Sequence, residues 1–272
     1  MKRVYIKDSW PEAWKYSYSY DLEEIYGEIK NPGYTYAYSR RRQFTLDLLT
    51  EVLEPGSRIL DIAAAQGNFS LAMAELGYDV TWNDLREDLA GYVKEKYEKG
   101  TITFSPGNAF ELKFTYLFDG ILITEVIEHV AHPDEFLLNT AKLVRPGGYI
   151  IMTTPNGQYF KNSLPKFSEC ADPSTFEAVQ FRPDSDGHIF LLHRDEVESF
   201  ATSVGLFIDR FILFNNPLTS GHIKLSHLLK VLPKSVVNIC EDLSQRLPLM
   251  LASKISAQMA VRFRKPDLSE KD

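Results

Sequence analysis

Residues 58–68 read RILDIAAAQGN, a short apolar run that ends in small residues and a glycine. An apolar run bounded by a turn signal predicts a buried strand, and small side chains after it let the backbone approach a ligand closely. A second run, DVTWND at 79–84, ends in Asp84. A carboxylate at that distance from the first turn suits the vicinal diol of a ribose. The two segments together predict a nucleotide-like ligand at the carboxyl ends of these strands.

Short apolar runs and helical periods alternate around this stretch. Five strands are predicted at 58–63, 79–84, 102–107, 118–124 and 148–155, with helices near 68–76, 86–98 and 133–144. This alternation predicts an α/β fold with a doubly wound, mostly parallel sheet. A helix at 194–204 and strands at 206–214 and 255–263 complete a sheet of seven strands. The last strand alternates apolar and polar residues, which predicts an antiparallel strand at the sheet edge.

The remaining segments predict additions to this core. Residues 1–42 form an aromatic-rich N-terminal helical cap, with a turn at 31–33 and a helix from Ser39 to Leu53 that leads into the core. The core takes residues 43–216 and includes a candidate lid at 158–186. Residues 217–253 form a helical insertion, and residues 254–272 carry the last strand and a charged tail.

Composition limits the classes of function. The 272 residues include 30 Lys and Arg against 37 Asp and Glu, a formal net charge of -7, which disfavours nucleic acid and favours a small-molecule acceptor. The two cysteines, Cys170 and Cys240, lack the spacing of a thiolate metal site or a redox pair. No apolar run has the length of a signal peptide or a transmembrane segment, so we expect a cytoplasmic protein.

The turn after the first strand matches neither of two common phosphate-binding motifs. It lacks the G-x-G-x-x-G spacing of dinucleotide folds and the lysine of a P-loop, which indicates a ligand without a pyrophosphate. Five segments follow one another along the chain: Asp61-x-Ala-x-Ala-x-Gly67, Asp84, Gly107-Asn108-Ala109, Phe118-Asp119 and Pro146-Gly147-Gly148. Over residues 40–215 this series resembles the class I S-adenosylmethionine-dependent methyltransferases.

The resemblance implies a role for each segment of the cofactor site. In that family the glycine-rich turn faces the methionine part of the cofactor, the second-strand acid holds the ribose, and residues after the third strand line the adenine. The residues implied are Asp61, Ala63, Ala65, Gly67, Asp84, Leu85, Asn108, Ala109, Phe110 and Thr124. The chain departs from the family at Ala63 and Ala65, where glycine is usual, and at Asn108, where aspartate is commoner.

Two structural questions follow from these departures. Alanine fits the turn if the backbone there avoids positive φ. The alternative to a cofactor site is an ordinary strand-to-helix turn, with Asp84 as the N-cap of the following helix.

A further motif, Thr124-Glu125-Val-Ile-Glu128-His129, follows the fourth strand. If a helical turn begins there, Glu125, Glu128 and His129 lie on one face, and His188 returns over the same edge of the sheet. Two carboxylates and an imidazole suit a divalent cation. The pattern resembles the O-methyltransferases of ubiquinone biosynthesis and the enzymes that methylate the 2′-hydroxyl at small-RNA 3′ ends. In the RNA group the four residues hold a metal.

This second resemblance implies O-methylation. Mg²⁺ or another divalent cation on Glu125, Glu128, His129 and His188 would lower the pKa of the acceptor hydroxyl. Without a metal, Glu125, His129 and His188 are the candidate catalytic residues, with either histidine as the general base. The competing interpretations are carboxylates at a helix N-terminus and a buried structural histidine. The pair His193 and Glu196 is typical of the start of a helix, and we expect neither residue to have a catalytic role.

The cap offers two further candidate contacts. Its tryptophans and tyrosines, between Trp10 and Tyr38, either stack on the acceptor or pack a small helical subdomain. The run Arg40-Arg41-Arg42 includes a candidate partner for the carboxylate of the cofactor.

The insertion carries basic residues beside apolar ones: Lys224, Lys230, Lys234 and Arg246. That pattern permits peripheral contact with an anionic membrane or a lipid-linked acceptor. Glu241 and Asp242 interrupt the basic residues, which favours a homodimer interface or a lid instead.

Four functions remain open from the sequence. We expect methyl transfer to an oxygen of a small hydroxylated metabolite such as a sugar, a phenol or a polyketide. N-methylation of a small amine or aminosugar needs a neutral nitrogen and no metal. A non-catalytic cofactor-binding scaffold is compatible with the two alanines of the turn, because a fold is not an activity. RNA 3′-end methylation is opposed by the net acidity and by the lack of an obvious basic track.

Overall fold

The computed structural model describes residues 1–180, 187–220 and 228–267. Its strands are β1 (Arg58–Ile62), β2 (Asp79–Asn83), β3 (Thr101–Phe104), β4 (Phe118–Thr124), β5 (Val144–Pro155), β6 (Phe207–Phe214) and β7 (Gln258–Arg264). Its helices are α1 (Glu12–Glu24), α2 (Pro32–Thr50), α3 (Asn68–Glu75), α4 (Leu89–Lys96), α5 (Pro133–Leu143), α6 (Arg194–Ser203), α7 (Lys234–Gln245) and α8 (Leu249–Ile255). The strands form one sheet in the order β3-β2-β1-β4-β5-β7-β6. The predicted seven-stranded, mostly parallel sheet is confirmed.

Both faces of the sheet are buried along its central strands, which explains their apolar residues at successive positions. In β1, Ile59 packs in one core with Leu122, whereas Leu60 packs in the opposite core with Ile121. Side chains alternate across a strand, so only a strand that is apolar at successive positions fills two cores. Because β1 pairs in parallel with β2 and β4, the carboxyl ends of all three meet at one edge of the sheet. The loops that leave this edge carry the predicted motifs.

Helix α2 begins earlier than the sequence pattern predicts. The start at Ser39 is wrong, because the segment at 31–33 begins the helix instead of forming a separate turn. Asn31 accepts a hydrogen bond from the Tyr34 amide at 3.4 Å, and Pro32 occupies the first turn of the helix, where its missing N–H costs nothing. The division of the chain at 42/43 stays a prediction, and α2 runs across it without a break.

Strand β7 is antiparallel as predicted, but its place at the sheet edge is wrong. It lies between β5 and β6, which leaves β6 at the edge. The alternation that predicts a solvent face is misleading because Arg262 is buried with partners. Its guanidinium donates to Asp209 at 2.5 Å and to Glu51 at 2.8 Å. The strand also begins at Gln258, since Ile255 ends α8.

The late insertion begins with a turn at 217–220 and is mainly helical from Leu228 onward. It contains a short turn at Leu228–Lys230, then α7 and α8. Among the residues that the structure describes, no helix is long and apolar enough to span a membrane. Lys224 lies outside the described residues, as do positions 181–186 of the candidate lid and the tail from 268 onward.

Candidate active site

A cleft of about 680 Å³ opens at the carboxyl ends of β1, β2 and β4, where the N-terminal cap meets the sheet edge. Its wall combines the turn after β1, the end of β2, the loop after β3 and the segment after β4. Of the ten predicted cofactor residues, eight line it: Ala63, Ala65, Asp84, Leu85, Asn108, Ala109, Phe110 and Thr124. Segments from Ala63 to Thr124 thus share one cavity, as the topology of the sheet requires.

The turn after β1 has a left-handed backbone at three positions. Ala63 has φ 55°, Ala65 has φ 48° and Gly67 has φ 72°. The expectation that alanine fits by avoiding positive φ is therefore wrong. The two alanines adopt the glycine-like conformation, which costs about 1 to 2 kcal/mol for each residue with a Cβ.

Asp84 stabilises this turn from the end of β2. Its Oδ2 accepts a hydrogen bond from the Ala65 amide at 2.8 Å. The Arg86 guanidinium also donates to both carboxylate oxygens, from Nε at 3.0 Å and from Nη2 at 3.1 Å. The N-cap of α4 is Asp88, so the simpler assignment of Asp84 to that position is wrong. Asp84 is 3% exposed, and Arg86 stands between its carboxylate and the solvent.

The other two predicted cofactor residues are Asp61 and Gly67. Among the described residues, neither lines the cleft, and both lie behind its wall. Asp61 is 1% exposed, and its Oδ2 accepts from the Ser70 hydroxyl at 2.5 Å. Burial raises the pKa of Asp61 to about 7, and the nearby Asp84 carboxylate adds to the rise. Gly67 is the N-cap of α3, and a Cβ there would lie only 2.7 Å from Val93. Its small size is a packing requirement between α3 and α4.

Helix α1 contributes a carboxylate that sequence reasoning missed. Glu24 lines the cleft and accepts hydrogen bonds from Tyr34 Oη at 2.5 Å, Gln66 Nε2 at 3.0 Å and Asn68 Nδ2 at 2.8 Å. Burial raises its pKa, although the hydrogen bonds from Tyr34 and Gln66 and the charge of Arg41 oppose the rise. No local motif marks Glu24, because its partners in the turn after β1 lie more than 40 positions away in the sequence.

Of the three consecutive arginines, Arg41 reaches the cleft. Its guanidinium pairs with Glu125 at 2.8 Å, and its side chain is 14% exposed. Arg40 instead bonds to Asn238 of α7 at 2.8 Å. Tyr38 lines the same end of the cleft, one helical turn before Arg41. Trp10, Trp14 and Tyr18 form a small cluster with Tyr92 of α4. Tyr20 packs against both Tyr16 and Tyr34.

The segment after β4 does not form the single helical face that the sequence predicts. Glu125 has φ 54°, and a short 3₁₀ turn begins only at Ile127. The Glu125 carboxylate turns toward the cap and accepts from Arg41 and from Gln258 Nε2 at 2.9 Å. Glu125 therefore lies in the cleft wall but is engaged by a cation and an amide.

Glu128, His129 and His188 come together as predicted. One potential ligand atom from each lies within 4.8 Å of the others. The Ile189 amide donates to the Glu128 carbonyl at 2.8 Å, which draws the segment carrying His188 over the sheet edge. The two imidazole rings meet edge to face with centroids 4.8 Å apart. Of the three side chains, His129 is the one that lines the cleft.

Glu128 is the buried member of this cluster. It is fully buried, and its Oε2 accepts from the Thr154 hydroxyl at 3.0 Å. Its Oε1 is buried without a hydrogen-bond partner and lies 4.0 Å from His129 Nε2. Burial raises the pKa of Glu128 well above its ordinary value, and the charge of Glu125 raises it further. His193, in contrast, begins α6, with its amide donating to Glu196 at 2.8 Å.

A family model described as a methyltransferase domain matches residues 34–209, more than half of the chain. The chain belongs to this methyltransferase family. The ubiquinone biosynthesis O-methyltransferase of Caulobacter sp. (strain K31) is 37% identical over 139 residues, an alignment that covers 47% of this methyltransferase and 55% of the relative. The alignment thus spans about half the length of that relative.

Solved structures agree in fold. A putative sarcosine dimethylglycine methyltransferase from Galdieria sulphuraria has a TM-score of 0.58 at 16% identity, covering 94% of this methyltransferase and 99% of that chain. The N-methyltransferase NodS from Bradyrhizobium japonicum, in complex with S-adenosyl-L-homocysteine, has a TM-score of 0.55 at 15% identity, covering 94% and 100%. These structures confirm the fold, and the family match with the curated relatives confirms the prediction of an S-adenosylmethionine-dependent methyltransferase.

Proposed function

We propose that this methyltransferase transfers a methyl group from S-adenosylmethionine to a hydroxyl oxygen of a small-molecule acceptor. The observation that carries the proposal is the cluster of Glu128, His129 and His188 beside the cleft that contains the predicted cofactor residues. A hydroxyl needs help to lose its proton, and this cluster offers it. The O-methyltransferase name of the relative supports an oxygen acceptor, although the alignment covers about half of that protein.

The cleft offers partners for each part of the cofactor. Asp84 carries acceptor oxygens for the ribose hydroxyls, once Arg86 releases them. Asn108, Ala109 and Phe110 line the part of the cleft assigned to the adenine. Arg41, which lines the cleft beside its partner Glu125, is the cation that we assign to the carboxylate of the methionine part, since a guanidinium can donate two parallel hydrogen bonds to a carboxylate.

In this proposal His129 takes the proton of the acceptor hydroxyl. The oxygen attacks the methyl carbon, the carbon–sulfur bond breaks, and S-adenosylhomocysteine leaves. Glu128 Oε1 lies 4.0 Å from Nε2 of His129, where it would stabilise the imidazolium once the carboxyl group is ionised. His188 packs against the His129 ring and limits its rotation. Methyl transfers also depend on alignment, so the positioning of the acceptor against the sulfonium contributes to the rate.

The same cluster fits a divalent cation. Glu128 Oε1 is buried without a partner, and one carboxylate with two imidazoles is a donor set that such ions accept. Glu128, His129 and His188 would hold the ion, without Glu125, which lies outside this group and whose Oε2 is engaged by Arg41 and Gln258. A bound cation supplies a positive charge that lowers the pKa of an acceptor hydroxyl. This version of the proposal predicts that a chelator abolishes turnover, whereas the metal-free version predicts no effect.

The test measures methyl transfer to matched acceptors. Purified protein with S-adenosylmethionine is assayed on a catechol, a hexose and the corresponding aminosugar, with EDTA or with Mg²⁺. We expect transfer to a hydroxyl compound and a loss of about 10² to 10⁴ in rate for His129→Asn. Cofactor affinity should stay within about twofold, because the imidazole acts on the acceptor.

The matched control is His193→Asn, since that histidine begins α6 outside the cleft lining. Methylation of the amine alone, or an equal loss in both histidine variants, would contradict O-methylation by this cluster. Failure of the wild-type protein to bind the cofactor would remove the whole proposal.

A further inference from the structure

Exposed apolar side chains are concentrated on the late insertion. Of the 21 large apolar residues exposed in the described chain, nine lie between positions 228 and 251. They are Leu228, Val231, Val236, Ile239, Leu243, Leu247, Leu249, Met250 and Leu251. We call this set the insertion face. Met250 is 77% exposed and Val231 is 82% exposed, so these side chains do not pack into the core.

The insertion face is one side of an amphipathic helix and its continuation. Val236, Ile239 and Leu243 recur at intervals of three and four along α7, which aligns them on one side. The opposite side, with Val237 and Glu241, is buried against the core. Such a concentration of exposed apolar side chains on one segment marks an interaction surface.

Charges around the insertion face differ from those of the whole chain. Lys230 is exposed in the short turn before α7, and Lys234, Arg246 and Lys254 are exposed at or beside the ends of the two helices. Of the two acidic residues in α7, Glu241 is fully buried, where it accepts from the Asn215 amide at 2.6 Å and from the Thr219 hydroxyl at 2.8 Å. Asp242 is thus the acidic side chain that stays at this surface. The insertion face is basic on a chain whose formal net charge is -7.

We propose that the insertion face docks this methyltransferase onto an anionic lipid surface. Apolar side chains enter the boundary between headgroups and acyl chains, and the flexible Lys and Arg side chains reach the phosphates. A second copy of the chain fits less well, because a twofold interface brings the same patch together and sets like charges opposite each other. The sequence-based objection that Glu241 interrupts the basic residues is removed by its burial.

The place of the insertion in the fold gives the docking a consequence. It joins β6 to β7 at the edge of the sheet that carries the cleft, where the Asn156 amide side chain donates to the Ser253 carbonyl at 2.7 Å. Gln258, directly after the insertion, donates to Glu125 in the cleft wall. Docking therefore presents this edge of the molecule to a lipid surface. The binding itself does not depend on the proposed acceptor chemistry.

The experiment is co-sedimentation of the full chain with phosphatidylcholine vesicles, with and without phosphatidylglycerol. We expect binding to the anionic vesicles that weakens with added salt and is at least about tenfold weaker on phosphatidylcholine alone. The variant Ile239→Ser/Leu243→Ser should weaken binding by about tenfold or more. Lys234→Gln and Arg246→Gln should each weaken it by about fivefold.

The matched control is Leu76→Ser/Leu117→Ser, two leucines of similar exposure outside the insertion, at 47% and 45%. S-adenosylmethionine titration shows that each variant is folded. The proposal is overturned if anionic vesicles are not bound, if both double variants lose binding equally, or if phosphatidylcholine alone binds as well. A dimer in analytical ultracentrifugation that dissociates in Ile239→Ser/Leu243→Ser would assign the face to a second copy instead.

Discussion

Asp84 is the residue whose contacts bear most directly on cofactor binding. Its oxygens accept from the Ala65 amide and from Arg86, so a ribose diol reaches them only when the arginine moves. Asp84→Ala should lower the affinity for S-adenosylmethionine by about 10- to 100-fold, since hydrogen bonds to a charged group contribute about 1.5 to 3 kcal/mol. Arg86→Ala should raise the affinity by up to about fivefold, because the exposed ion pair is weak.

Titration calorimetry measures both changes, and their opposite sign is the informative feature. The control is Glu87→Ala, an exposed neighbour in the same loop. If Arg86→Ala lowers the affinity instead, then Arg86 binds the cofactor rather than competing with it.

The raised pKa of Asp61 predicts that the stability of the protein depends on pH. Burial raises its pKa to about 7 from 3.8, so the folded protein keeps the proton to a higher pH than the unfolded chain does. The stabilising contribution is complete below pH 4 and is lost as the pH rises to about 7, a total of up to about 4 kcal/mol. Urea unfolding between pH 4 and pH 8 should show this decline. The decline in stability with pH should be smaller in Asp61→Asn and unchanged in the exposed control Asp88→Asn.

The residues of the site differ in how far the sequence identifies them. Asp84 and the loop residues 108–110 follow strands in the order of a known family, and parallel pairing then brings them to one edge. Glu24 and Tyr38 carry no such signal, because they reach the cleft through the packing of the cap helices. Glu125 was misjudged for a local reason: its left-handed backbone breaks the helical face that spacing alone predicts.

The turn after β1 stores backbone strain that glycine would relieve. Ala63 and Ala65 have positive φ, whereas Ala64 between them does not. Ala63→Gly and Ala65→Gly should each raise the free energy of unfolding by about 0.5 to 1 kcal/mol, the left-handed penalty less the added flexibility of glycine. Ala64→Gly is the matched control and should lower it by a similar amount. Denaturant titration distinguishes these signs, and a uniform loss across all three variants would argue against stored strain.

Three helices meet in one buried polar network behind the cleft. Lys96 of α4 donates to Asp21 of α1 at 2.6 Å and to Asn68 of α3 at 2.7 Å, and Tyr92 donates to Asp21 at 2.7 Å. Lys96→Met leaves the Asp21 charge without its main partner, so the protein should lose about 3 to 5 kcal/mol of stability.

The double variant Asp21→Asn/Lys96→Met should recover much of that loss, because it removes both charges. Lys94→Met, an exposed lysine of the same helix, is the control and should change stability by less than about 1 kcal/mol. Thermal or urea unfolding measures all three. A loss in the double variant as large as in Lys96→Met would mean that the charge pair is not the cause.

Element boundaries were predictable where a strand is buried on both faces and less so elsewhere. The runs of β1 and β4 are identifiable because buried apolar residues occupy successive positions, Ile59 and Leu60 in β1 and Ile121 to Ile123 in β4. For β7 the sequence gives the direction of the strand but not its neighbours, since a buried Arg262 with two carboxylate partners has the same pattern as an exposed one. The start of α2 was missed because Asn-Pro-Gly serves equally as a turn and as a helix N-terminus.

The N-terminal cap and the core are coupled through the cleft. Glu24, Tyr38 and Arg41 belong to α1 and α2, yet they line the same cavity as Asp84. A ligand that fills the cavity touches both parts, so its binding should stabilise the cap against local opening. At 100 times its dissociation constant, the ligand should also raise the global free energy of unfolding by about 2.7 kcal/mol.

Hydrogen exchange measured with S-adenosylhomocysteine tests this coupling. We expect slower exchange in α1, α2 and the turn at 63–68, where amides exchange by local opening, and little change in the locally opening amides of α7. The Asp84→Ala protein at the same ligand concentration serves as the control and should show little protection. Protection confined to 63–68 and 84–86 would mean that the cap contributes no binding energy. Protection that extends over α1 and α2 would mean that the cap is part of the cofactor site. Direct contact with the ligand is what would slow the local opening of those two helices.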